Sequence, residues 1–253
     1  MSADDSYGPI TARYYDAAYA TLRELGPDVE FYRALARESG GPVLELGCGT
    51  GRALLPIARD GIACTGIDTS QAMLDALAAK DPPPHLRLHC APMQRFDLAG
   101  ERFALIFSAF RAFQHLYDVG DQLACLACVR RHLAPGGRLA FDVFNPRLSR
   151  IALLEEPEFE ELRFAVTGDE VVRFTSLTRD VGRQVQRVRL RYERRSGDRV
   201  VGDDVAEFEM RWFHRFEIEH LLARAGFALE ALYGDFARGA FTGASPSIVA
   251  VAR

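Results

Sequence analysis

Residues 43–52 read Val-Leu-Glu-Leu-Gly-Cys-Gly-Thr-Gly-Arg, and residues 66–70 read Gly-Ile-Asp-Thr-Ser. A short apolar run of the kind that forms a strand buried on both faces enters a glycine-rich turn that opens a helix. The next strand ends on a carboxylate. Glycines at 47, 49 and 51 let the backbone bend sharply and let a ligand lie against bare main chain, where a Cβ would collide. Asp68 stands at a strand end, where an acidic group accepts both hydrogen bonds of a ribose diol. Strand, turn and acid together imply a parallel α/β sheet that holds an adenosine-containing cofactor.

The spacing bears on which cofactor. A dinucleotide fingerprint is G-x-G-x-x-G, with a helix N-terminus aimed at a pyrophosphate. Here the spacing is G-x-G-x-G and Glu45 lies inside the preceding strand. An acid beside the turn repels a diphosphate and suits a cofactor that carries an ammonium group. The pattern resembles the first two motifs of the class I S-adenosylmethionine-dependent methyltransferases. The tyrosines near the N-terminus (Tyr14-Tyr15-Asp16), Ala134-Pro-Gly-Gly137 before a strand, and Arg215-x-Glu217 with Leu221-Leu222-x-x-Ala225-Gly226-Phe227 are similar to the small-molecule branch of that family.

The rest of the chain is strand and helix in alternation, then an all-β interruption, then alternation again. Helices are expected at 11–24 and 28–39, and after the first strand to about Arg59. Strands follow at 62–67, 86–90 and 104–108, with a helix capped by Ser70 running to Lys80. A helix at about 119–133 leads through Pro135-Gly136-Gly137 into a fifth strand at 138–144. These crossovers read as helical, which makes the sheet parallel and puts the ligand outside the strands' carboxyl ends. From about Glu160 to Phe213 the period becomes two. Three strands are expected there, at 164–178, 184–194 and 200–212, with Ser196-Gly197-Asp198 as a hairpin turn. A helix at 216–225 and strands at 229–233 and 247–252 close the chain.

The expected fold is thus α/β, a Rossmann-like seven-stranded methyltransferase sheet with helices on both faces and an antiparallel β insertion after strand five. Residues 1–40 read as a helical segment over the site and 41–150 as the cofactor-binding core. Residues 151–213 read as a cap of three or four strands and 214–253 as the last part of the core sheet. The insertion resembles that of the sugar N-methyltransferases of antibiotic biosynthesis and of the glycine N-methyltransferase type, and it offers a surface through which a homodimer could form.

At 253 residues and 48% apolar content the chain can bury a full α/β core. A formal charge of −4 argues against a nucleic-acid partner. No run approaches the eighteen or so apolar residues of a membrane span, and the first twenty residues do not read as a signal peptide, so a cytoplasmic protein is expected. The five cysteines suit reduced, buried packing. Cys125-x-x-Cys128 lies in a helical pattern with no second pair, and no metal site is expected. Arg187, Arg189 and Arg191 alternate with apolar residues and read as a solvated sheet face.

Methyl transfer from a sulfonium is an in-line displacement, so a protein has mainly to align a nucleophile and exclude water. An amine nucleophile must be uncharged, and a hydroxyl needs a base. The segment after the fourth strand contains His115, the group best able to act as a base near neutral pH. In the resembled family a histidine before leucine here lies near the nucleophile. His214, at the end of the insertion, could also reach the site. The resemblance further implies an N-terminal tyrosine over the cofactor and facing the reacting centre, either Tyr14 or Tyr15, with Tyr19 one helical turn on. It implies Met73 packed on the adenine and the Met93 backbone beside it. Cys48 in the turn, Thr69 next to Asp68 and Ser108 at the end of strand four complete the expected cofactor contacts, alongside Glu45, Gly47, Gly49, Gly51 and Asp68. One departure stands out. Aligned on Phe96-Asp97-Leu98, Pro92 occupies the place of the family's adenine-contacting acid. The expected activity is methyl transfer from S-adenosyl-L-methionine, with S-adenosyl-L-homocysteine as product, to N or O of a small molecule, N being favoured. A non-catalytic S-adenosylmethionine-binding protein and an NAD(P)-dependent oxidoreductase are the alternatives.

Overall fold

A computed structural model of the chain describes residues 7–22 and 26–253. The far end of the first expected helix, residues 23–24, lies outside the described residues. Seven strands form the main sheet in the order β10-β11-β5-β4-β1-β2-β3. These are β1 (Val43–Leu46), β2 (Cys64–Asp68), β3 (Leu86–Cys90), β4 (Phe103–Ser108), β5 (Leu133–Phe144), β10 (Leu229–Tyr233) and β11 (Ser247–Ala252). β1 pairs in parallel with both β2 and β4, so the chain order reverses direction between β1 and β4. That reversal opens a crevice above their carboxyl ends, the place where ligands bind in open α/β sheets. β11 inserts antiparallel between β10 and β5.

Alternation along the strands builds two cores. Leu44, Leu46, Ile67 and Ile106 point to one face, where α5 (Val119–His132) and α7 (Arg215–Arg224) bury Leu126, Val129, Ile218 and Leu222. Val43, Leu105 and Phe107 point to the other, under α2 (Pro27–Ser39), α3 (Leu54–Arg59) and α4 (Gln71–Ala78). Ser70 caps α4 by accepting from the Met73 N–H at 3.2 Å. Helices cover both faces, but the connection between β3 and β4 is an irregular loop, not the expected helix. Phe96 and Leu98 of that loop are buried in the core and do the covering a helix would do. Cys125 and Cys128 are buried on α5. No helix among the described residues is long and apolar enough to cross a membrane.

After α6 (Leu148–Ile151), a second sheet of four antiparallel strands runs in the order β6-β7-β8-β9: β6 (Glu155–Val166), β7 (Asp169–Asp180), β8 (Val185–Ser196) and β9 (Arg199–Arg211). The expected strand at 164–178 is in fact two. The chain reverses at Thr167 and Gly168, both at positive φ (48° and 92°), the geometry of a tight hairpin turn. One sheet face carries Leu162, Phe164, Val188, Leu190 and Tyr192 against α1 (Pro9–Leu22). On the other, Arg187 and Arg189 are paired with Glu209, Glu158 and Glu207, and Arg191 with Glu158 and Glu193. α1 is therefore held by the second sheet, while α2 packs on the core; of the two N-terminal helices only α1 reaches the crevice.

Candidate active site

A cavity of about 390 Å³ lies at the switch between β1 and β4. Its floor is the glycine turn. Gly47 and Cys48 both donate their N–H to the Ile67 carbonyl, at 2.8 and 3.0 Å, which ties the turn to β2. Gly49 has φ +52° and a Cβ there would meet nothing within 4 Å, so the turn leaves open space. Its N–H donates to Asp68 Oδ2 at 2.7 Å, while Ser70 N–H donates to Asp68 Oδ1 at 2.9 Å. These bonds brace Asp68, which lines the cavity as a carboxylate acceptor of the kind a ribose diol needs.

Glu45 lies under this floor, 3% exposed, and its Oε2 has no hydrogen-bond partner among the described residues. Burial pushes its carboxyl well above the usual range, opposed by the Arg52 guanidinium. Arg52 lines the same cavity, donates to Asp28 Oδ2 at 2.5 Å and lies 4.5 Å over the Phe110 ring. Its Nη1 is also buried without a partner among the described residues. Leaving a buried charged group unsatisfied costs of order 1–3 kcal/mol. An acid oxygen and a guanidinium nitrogen left without partners in one cavity suit the ammonium and carboxylate of an amino acid. Thr69, Met73, Ala91 and Met93 give the neighbouring wall an apolar slot. Glycine floor, diol acceptor, charge pair and slot fit S-adenosylmethionine.

His115 also lines the cavity, on a single 3-10 turn, Ala112–His115. Phe110 and Arg111 before it are left-handed, at φ 54° and 67°, a conformation that costs non-glycine residues roughly 1–2 kcal/mol. Asp142 of β5 holds them there. Its carboxylate accepts from the Phe110 N–H at 2.8 Å and the Arg111 N–H at 3.2 Å, and from the Tyr32 hydroxyl at 2.8 Å. Gln114 locks the turn to both sheets, donating to the Arg211 carbonyl at 2.6 Å and accepting from the Phe144 N–H at 3.1 Å. His115 Nε2 is 3.1 Å from the Tyr7 hydroxyl. Burial lowers the imidazole to about 4, against a hydrogen bond with the Glu209 backbone. The ring is therefore neutral near pH 7. Tyr7 is anchored by Ser70 Oγ donating to its carbonyl at 2.6 Å, and its ring packs on Phe208 at 5.4 Å. Burial raises the Tyr7 phenol well above its ordinary value, so it too is neutral.

Of the residues expected from sequence, Glu45, Gly47, Cys48, Gly49, Asp68, Thr69, Met73, Met93 and His115 all line the cavity. Four others do not. Tyr14 faces the second sheet, stacked on Tyr192 at 4.5 Å with its hydroxyl donating to Asp204. Tyr15, about 100° further round the helix, takes the cavity position together with Tyr7. Tyr19 packs edge-on against Phe110 at 5.0 Å, one layer back. Gly51 serves packing, since a Cβ there would come within 2.6 Å of the Leu77 side chain. Ser108 is buried beneath the cavity, its carbonyl accepting from Tyr32. His214 caps α7 on the exposed side. Tyr7, Arg52, Tyr117, Asp121 and Asp142 were not expected. Only Asp142 had a sequence signal, an acid inside the apolar run Leu139–Val143.

Residues 43–137 match the family model described as a methyltransferase domain. A ubiquinone biosynthesis O-methyltransferase of Bradyrhizobium diazoefficiens is 30% identical over 48% of this chain and 47% of its own length. A demethylmenaquinone methyltransferase of Mycobacterium sp. is 32% identical over 55% of this chain and 58% of its own. The chain thus spans only about half the length of the curated relatives it matches. Solved structures extend further. The CcbJ methyltransferase from Streptomyces caelestis superposes with a TM-score of 0.76 at 26% identity, over 90% of this chain and 88% of that one. CalS10, an amino pentose methyltransferase from Micromonospora echinaspora solved with S-adenosylmethionine bound, gives 0.71 at 25%, over 94% and 95%. Residues 43–137 thus match a methyltransferase domain, and the chain as a whole shares its fold with S-adenosylmethionine-dependent methyltransferases.

Proposed function

We propose that the protein transfers a methyl group from S-adenosylmethionine to a nitrogen of a small molecule. The observation that carries this reading is the cavity itself, which joins a fitting cofactor floor to a buried, neutral His115. The cofactor supplies an electrophilic methyl already activated by its sulfonium. Asp68 accepts the ribose hydroxyls, Glu45 and Arg52 take the amino-acid end, and Tyr7 and Tyr15 close the reacting end against water. The acceptor displaces the Tyr7 hydroxyl from His115 Nε2 and is oriented by the freed lone pair. An imidazole held near 4 is a weak base. It can orient an N–H by accepting its hydrogen bond, the proton of the product ammonium then leaving to solvent, but it helps little in stripping a hydroxyl, which must lose its proton during attack. The likeness to CalS10 also supports nitrogen. Oxygen transfer is the second reading, favoured by the likeness to the ubiquinone biosynthesis enzymes.

A turnover assay against amines, amino sugars and phenols tests the assignment. Release of S-adenosylhomocysteine with amines alone supports it, and release with phenols alone replaces it with oxygen transfer. Tight cofactor binding without turnover on any class would indicate a non-catalytic binding protein. Asp68→Ala should weaken cofactor binding by about 1–3 kcal/mol, because the ribose hydroxyls lose a charged acceptor. Calorimetric titration showing unchanged affinity in the folded variant would contradict the ribose assignment.

A further inference from the structure

Position 92, where the resembled family carries an acid for the adenine, is proline, and a proline side chain accepts nothing. Among the described residues three carboxylates line the cavity: Glu45, Asp68 and Asp121. The first two serve the amino-acid and ribose ends. Asp121 comes from the first turn of α5, and the packing of α5 against the loop after β3 fixes where it stands. Leu98 N–H donates to His132 Nε2 at 3.1 Å, Arg131 Nη2 to the Phe96 carbonyl at 3.3 Å, and Cys128 Sγ to the Gln94 carbonyl at 3.6 Å. Helix and loop therefore run parallel, in step. Asp121 precedes Cys128 by seven residues, two turns along the same helix face. It lines the cavity together with Ala91, Met93 and Gln94 of that loop, beside the apolar slot. Its backbone N–H donates to Asp118 Oδ1 at 2.9 Å, and its carboxylate makes no hydrogen bond among the described residues.

On the reading of the cavity as an S-adenosylmethionine site, we infer that Asp121 accepts the hydrogen bond of the adenine 6-amino group, supplying from α5 the acid missing at 92. The cavity thereby selects a 6-aminopurine. An acid in the first turn of a helix is also favourable toward the helix dipole, so stability alone does not test the role. Preference for the amino group does.

The experiment is calorimetric titration of S-adenosylhomocysteine and of its 6-deamino analogue, which carries hydrogen in place of the amino group. Wild type should bind the first about tenfold or more tightly, the range for a hydrogen bond to a charged acceptor. Asp121→Ala should bind both alike, at the level of wild type with the analogue. Asp121→Asn, which keeps a neutral acceptor, should retain part of the preference. Gln94→Ala, which removes a polar side chain of the loop after β3 that also lines the cavity, should retain all of it. Undiminished preference in Asp121→Ala, or its loss in Gln94→Ala alone, would overturn the assignment. So would tight binding of both nucleosides by wild type without discrimination, and the cofactor reading would then stand. Failure of wild type to bind either would overturn that reading and this assignment together.

Discussion

His115→Ala should lower kcat about 10²-fold, the low end of the range for a positioned proton acceptor, and leave cofactor affinity unchanged. The low end follows from the environment. Burial holds the imidazole near 4, so the ring is a better orienting group than a base. Cofactor binding should be spared because the described partners of His115 are the Tyr7 hydroxyl and the Glu209 backbone. The pH profile carries a second expectation. A histidine lowered from the ordinary 6.5 stays unprotonated until the pH nears 4, so the wild-type acid limb should reflect the acceptor amine and show no step near 6.5. The same shift bears on stability with a definite sign. The folded state binds the His115 proton less readily than the unfolded chain, so its contribution is complete above about 6.5 and fades as the pH falls toward 4. Full activity of His115→Ala across pH, or a defect confined to cofactor binding, would remove it from the reacting centre.

Gly49→Val should abolish measurable cofactor binding while the fold survives. At φ +52° a side chain at 49 projects into open cavity space beside Asp68, where the cofactor would lie. The branched side chain also carries left-handed strain of roughly 1–2 kcal/mol, which a control must separate from occlusion. Gly61 provides it: φ is +87°, a Cβ there meets nothing within 4 Å, and the residue is exposed far from the cavity wall. Gly61→Val should lose comparable thermal stability and keep its affinity. A Gly49→Val protein that binds as wild type does would reduce the loop to a structural turn.

Much of this was legible in the chain because the signals are local. The run at 43–52 and the acid at 68 depend on spacing alone, and both fall at the cavity floor. The alternation of Arg187, Arg189 and Arg191 with Val188, Leu190 and Tyr192 likewise reads directly as one charged and one apolar sheet face. What was missed depends on which element covers which. Tyr14 and Tyr15 are equally aromatic neighbours on one helix, and only the position of the second sheet decides that Tyr14 meets Tyr192 while Tyr15 meets the cavity. The turn at Thr167-Gly168 hides within continuous alternation, so one strand was expected where there are two. Asp142 holds the His115 turn from across the sheet, through hydrogen bonds between residues about thirty positions apart, and no short-range pattern reports such a pairing.

The central claim is that the cavity takes S-adenosylmethionine. Calorimetric titration of the purified protein with S-adenosylhomocysteine and, separately, with NAD⁺ and NADP⁺ tests it most directly. The expected result is one site with a dissociation constant on the order of micromolar, about −8 kcal/mol, for the homocysteine nucleoside and no heat with either dinucleotide. Saturable binding of a dinucleotide with none of S-adenosylhomocysteine would contradict it.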